Sequence, residues 1–168
     1  MAWPNPQGSA IFTAAALNPL LQACWTTAKP TGYSSLSADT INVALYGNSG
    51  TPDKDAAVAS TGYNTGAWVT GNEISGTGYT AGGAALGSKT FASATGAVNF
   101  GAANTSWTSA TISNAYGDLV YDNTISGGTV SAQGLAMHYF GGSASVTSGT
   151  FTISWSSGYV FQFTFAYA

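Results

Sequence analysis

Hydrophobic positions along this chain change their spacing once, near residue 39. From Ser9, the residues Ile11, Ala14, Ala15, Leu17, Leu21 and Trp25 recur close to a helical period. Ser9 can cap a first turn, and Asn18-Pro19 has the form of an N-cap followed by proline at the first helical position, so residues 9–27 predict two short helices rather than one. Lys29-Pro30-Thr31-Gly32 ends the segment. Ahead of it, residues 1–8 carry Trp3, Pro4 and Pro6, which rule out helix and regular central-strand pairing and predict an extended N-terminal arm. Trp3 in such an arm has two places to go, its own domain or a neighbouring chain.

After Asp39 the period becomes two. Ile41, Val43 and Leu45 alternate with Thr40, Asn42, Ala44 and Tyr46, the pattern of a half-buried strand. Residues 48–55 form a loop by their Gly, Pro and Asp content, and Ala67-Trp68-Val69 predicts a short strand leading into residues 72–86. That stretch contains Gly76, Gly78, Gly82 and Gly83, with Ile74, Tyr79 and Leu86 as its long apolar side chains. Residues 89–92 and 97–100 flank a hairpin-like Ser93-Ala94-Thr95-Gly96, and further strands follow at Trp107, Ile112, 115–121, 135–140, 151–155 and 159–167. Short strands separated by turn residues predict an all-β fold, a β-sandwich or jelly-roll-like barrel with a short helical N-terminal segment. One β-rich domain over 9–168 is expected, its sandwich spanning 39–168. In the last strand, Tyr159, Phe161, Phe163, Phe165 and Tyr167 share one face. At roughly 150–250 Å² per ring, such a face belongs in the core or in a subunit interface.

Composition narrows the classes of function. Apolar residues make up 45% of the 168 and aromatics 13%, but charged residues only 5%, against about 25% in an average soluble domain. Five Trp, nine Tyr and eight Phe exclude disorder as the explanation for so much Gly, Ser and Thr. The chain has no arginine and only Lys29, Lys54 and Lys89, too few cations to neutralise a phosphate backbone, so nucleic acid is not an expected partner. A net charge of -3 defends the surface poorly against association, which points to life inside an assembly or to sparse solubility. Residues 9–25 are apolar, yet Pro19 interrupts them and no Lys or Arg precedes Lys29, so neither a signal peptide nor a membrane anchor is expected. Cys24 stands alone and predicts a small buried hydrophobe.

Titratable groups that could converge are few. His138 alternates with Ala136 and Phe140 without the spacing of a Ser-His-Asp triad, and predicts a hydrogen-bonded structural histidine. Asp53 and Asp55 lack the further oxygen ligands of a calcium loop and predict solvated turn residues. Asp118 and Asp122 have nothing basic near them in sequence and are expected at the surface. The glycine-rich stretch lacks the Lys-Ser/Thr of a phosphate loop. Trp and Tyr beside Gly and Ser could build a sugar-binding platform, which the sequence cannot separate from core aromatics. No carboxylate pair fit for glycoside hydrolysis is apparent. Catalytic residues, metal ligands and cofactors are therefore all expected to be absent.

Three segments carry a family resemblance: Asp39-Thr-Ile-Asn-Val-Ala-Leu-Tyr46, Thr51-Pro-Asp-Lys-Asp55 and Asn72-Glu-Ile-Ser-Gly-Thr-Gly-Tyr-Thr-Ala-Gly-Gly83. Together with Ser106-Trp107-Thr108, Ala110-Thr-Ile112, residues 116–121 and Gly149-Thr-Phe-Thr-Ile-Ser-Trp155, they resemble small structural proteins of tailed bacteriophages across residues 39–155. The resemblance implies a non-enzymatic virion protein, made in the bacterial host cytoplasm and placed on the outer surface of the phage head. There it would act as a capsid decoration or cement protein, with the major capsid protein and further copies of itself, as a homotrimer, for partners, and with no nucleic acid or membrane. A tail or head-fibre attachment protein, with a glycan-binding surface, is the alternative. The expected contact residues are Trp3, Pro4 and Pro6 of the arm, Gly76, Gly78, Tyr79, Gly82 and Gly83 of the glycine-rich stretch, and Phe161, Phe163 and Phe165 of the last strand. The glycines would let that stretch lie against a neighbour.

Overall fold

A computed structural model describes residues 10–11, 32, 34–94 and 97–164. The chain is all-β, in two antiparallel sheets. Its strands are β1 (Ala10–Ile11), β2 (Ile41–Tyr46), β3 (Ala84–Ala85), β4 (Thr90–Ala94), β5 (Ala97–Gly101), β6 (Thr105–Asp122), β7 (Gln133–Ile153) and β8 (Tyr159–Thr164). The larger sheet has the order β1-β7-β6-β2-β3 and the smaller the order β4-β5-β8. Ala10 and Ile11 pair with Met137 and Ala136 instead of opening a helix. The remainder of the expected helical segment and the arm with Trp3, Pro4 and Pro6 lie outside the described residues, as do Cys24, Phe165 and Tyr167.

The larger sheet is organised by one long hairpin. β6 and β7 pair from Asp122↔Gln133 beside the turn out to Thr105↔Ile153 at the open end. The separate strands expected around Trp107, Ile112 and 115–121 are thus one strand, bent at register shifts such as those between Trp107 and Ala110 and between Ile112 and Ala115. Ser109 and Asn114 sit at these shifts with φ of 51° and 57°, and Ser148 on β7 has φ 48°. Such bulges raise the local twist, which lets an 18-residue strand curl instead of running flat.

β2 is buried on both faces and not half-buried. Ile41, Val43 and Leu45 enter the core shared with the smaller sheet, where the Phe100 and Phe161 rings meet at a tilt, 5.1 Å apart. Ala44 and Tyr46 point the other way and are covered by the 58–72 connection, whose Trp68 is 1% exposed and meets the Tyr46 ring edge-on at 5.0 Å. Residues Gly66–Trp68 form a 3-10 turn where a strand was expected, and the Tyr46 hydroxyl donates to the Trp68 carbonyl at 2.6 Å. In β8 the aromatic alternation breaks at a bulge, since Phe100↔Phe161 is followed by Gly101↔Tyr159. Val160 and Phe161 are consequently both buried, Phe163 is half-buried, and Tyr159 turns outward at 40% exposure.

Candidate functional site

The glycine-rich stretch wraps the chain's own sheet. It leaves the end of β2 with Ile74 N–H donating to Leu45 O at 2.9 Å, crosses β6 where Thr111 N–H donates to Thr77 O at 2.9 Å, and returns to β2 as β3. The glycines permit these close approaches. A Cβ on Gly76 would lie 2.0 Å from the Thr111 carbonyl oxygen, and one on Gly83, at φ +71°, would lie 1.8 Å from that of Val43. Ile74, Tyr79 and Leu86 enter the core. Glu73 fastens the loop by accepting hydrogen bonds from the Tyr63 hydroxyl at 2.8 Å and from the Tyr79 hydroxyl and Gly82 N–H at 2.7 Å each. Tyr79 in turn accepts from Leu45 N–H at 2.8 Å, and burial beside Glu73 pushes its hydroxyl far above the usual phenol range. These glycines bring the stretch against the chain's own β2 and β6, and Tyr79 is a buried tie.

Gly83→Ala is accordingly expected to cost about 2 kcal/mol, from a positive φ and a blocked backbone contact. Gly71→Ala, with nothing within 4 Å of the added Cβ, serves as the neutral control. Equal denaturant midpoints for the two variants would remove the role given to Gly83.

Asp118 and Asp122 are not at the surface, for both are 0% exposed. Asp118 lies opposite His138 in the β6–β7 register, and its Oδ1 is 2.7 Å from His138 Nδ1. His138 Nε2 lies 2.8 Å from the Val160 carbonyl oxygen. A carboxylate and a carbonyl both accept, so both ring nitrogens donate and the imidazole is held as imidazolium. Burial alone would lower the His138 pKa, but the charge and hydrogen bond of Asp118, with the Val160 carbonyl, outweigh it and raise the value. Sequence reasoning gave His138 its structural, hydrogen-bonded role but not its partner, which is 20 residues away and supplied only by the hairpin register. With Nε2 committed to a carbonyl, the histidine has no free nitrogen with which to activate a serine.

The pair lies in the wall of a cavity of about 450 Å³ between the β7 ladder and the segment that leads into β8. Phe140, Phe151, Trp155 and Tyr159 give it an aromatic lining, and the Trp155 ring lies 5.5 Å from that of His138. Trp155 is fixed by Nε1–H donating to Ala103 O at 3.0 Å. Asp118 Oδ2 is buried without a hydrogen-bond partner.

A second carboxyl pair closes the turn end of the hairpin. Asp39 accepts from Ser34 N–H at 2.8 Å and Asp122 from Thr124 N–H at 2.9 Å. Asp122 Oδ2 is buried without a hydrogen-bond partner. Burial first, and Asp39 second, push the Asp122 carboxyl up to about 7. The sequence offered no signal for this convergence, since 83 positions separate the two residues. Among the described residues no group of three or more His, Cys, Asp or Glu is placed to hold a metal ion. Asp53 and Asp55 are exposed turn residues, with Asp55 N–H donating to Asp53 Oδ1 at 2.9 Å. The expected contact residues fall into separate places: Gly76 and Gly78 lie exposed over β6, Gly82 and Gly83 sit half-buried on β2, and Phe161 is in the core with Phe163 at its margin. No family model, no curated protein and no solved structure matches this chain.

Proposed function

We propose that this chain is a non-enzymatic structural protein of a tailed-bacteriophage particle, a capsid decoration protein that binds as a homotrimer between capsomers of the major capsid protein on the outside of the head. The observation that supports it is where the charge lies. Asp39, Asp118 and Asp122 are buried and Glu73 is tied into the glycine-rich loop, which leaves Asp53, Lys54, Asp55 and Lys89 as the charged side chains at the surface of the described residues. So little charge does not keep molecules apart, whereas hydroxyls and amides on a braced β body suit broad contact with a shell. Binding the assembled shell better than its separated subunits would stabilise the head by mass action.

Particles carrying the protein are expected to rupture at a higher temperature than particles lacking it. Equal rupture temperatures would overturn the cementing role. The aromatic cavity favours a second reading, a tail or head-fibre attachment protein. Copy number separates the two, because decoration follows the capsomer lattice and an attachment protein does not.

A further inference from the structure

We infer that the cavity beside Asp118 and His138 binds one neutral hexopyranose unit of a glycan. Its volume of about 450 Å³ falls in the range of small-molecule sites, and its character is that of such sites: largely apolar, with a few convergent polar groups. Three features select the ligand. First, Tyr159, 40% exposed, presents an aromatic ring at the surface, and the buried Trp155 forms part of the cavity wall. The C–H face of a pyranose suits such rings.

Second, the site is electrically balanced. His138 donates through both nitrogens and is cationic, Asp118 is its counter-ion, and Lys54 and Lys89 are not in the lining. Among the described lining residues a phosphate or carboxylate would meet no cation other than the paired His138, and an ammonium would meet a carboxylate already paired. Third, the polar groups that remain suit hydroxyls. Ser154 and Ser156 are exposed lining residues whose hydroxyls can donate or accept. A ligand with an apolar face, hydroxyls at its edge and no net charge matches all three.

This inference concerns the isolated chain and does not rest on the assembly proposal, which particle heating tests separately. The full chain is titrated with the methyl glycosides of glucose, galactose and mannose, followed by tryptophan fluorescence and by amide NMR shifts around His138 and Tyr159. At least one glycoside is expected to saturate with a dissociation constant on the order of 1 mM. Tyr159→Ala is expected to weaken that binding about tenfold, and Tyr159→Phe, which keeps the ring, to retain most of it. Methyl glucosaminide and methyl glucuronide are expected to bind no tighter than the neutral glycoside. The site is overturned if no neutral glycoside saturates, or if Tyr159→Ala melts like the parent and binds equally well. Tighter binding of either charged sugar would overturn the assignment to a neutral unit.

Discussion

His138→Ala is expected to lower stability at pH 7 by about 3–5 kcal/mol, the cost of leaving a buried charge without its partner. Asp118 is 0% exposed, and its Oδ2 already lacks a partner, so removal of the imidazolium leaves its carboxylate with neither counter-charge nor donor. The loss has a pH signature. In the parent the His138 pKa is raised, so the pair contributes fully below the ordinary imidazole value of about 6.5 and its contribution is lost as pH rises through the higher folded-state value. Urea unfolding of parent and variant at pH 7 and at rising pH measures the loss and its pH dependence. A loss under about 1 kcal/mol at pH 7, the size expected of an exposed pair, would show that Asp118 is not held as a buried charge.

Asp122→Asn is expected to stabilise the protein above pH 7 and to leave it unchanged near pH 4. Asp122 titrates at about 7 in the fold but near 3.8 unfolded, so between those values the folded state holds a proton that the unfolded chain has released. Stability from this group therefore falls as pH rises across the window, by at most about 1.4 kcal/mol per pH unit, and is flat above it. Asparagine keeps the hydrogen bond from Thr124 N–H on its oxygen and does not titrate, so it removes the charge that burial and Asp39 oppose. At pH 8 the variant should lead the parent by about 2–4 kcal/mol. A parent and variant whose stabilities run parallel from pH 4 to pH 8 would show that the fold does not raise the Asp122 carboxyl.

Both effects arise from residues whose types were plain in the sequence and whose partners were not. Alternation over Ile41 to Tyr46 marked β2 as a strand, because side-chain parity is a local property. Its second buried face was hidden, because Trp68 reaches it from a 3-10 turn beyond the strand end. The glycine-rich stretch announced a close backbone approach, and the structure identifies the partner strands as β2 and β6. The hairpin register could not be read, since Ser109 and Asn114 take positive φ at shifts that break the alternation. That register brings Asp118 to His138 and carries Asp122 toward Asp39. Acidic residues without basic neighbours in sequence read as surface groups, and here a distant histidine for Asp118, and a backbone donor with a raised carboxyl for Asp122, provide the compensation that burial requires. The cavity was equally illegible, because Phe140, Trp155 and Tyr159 meet only after β7 has ended and the chain has turned into β8.

The pairing of β5 with β8 also sets an order in time. The β4–β5 hairpin closes locally, and the β6–β7 ladder can zip outward from its turn with only one loop closed. Phe100, however, reaches 0% exposure through a partner 61 positions later, at Phe161. During synthesis that ring must wait until β6, β7 and the turn after Trp155 have all been made, and for that interval the nascent chain carries an unpaired strand edge with an aromatic surface. Docking of β8 is the event that ends this exposure, so the final strand governs how long the newborn chain is open to self-association.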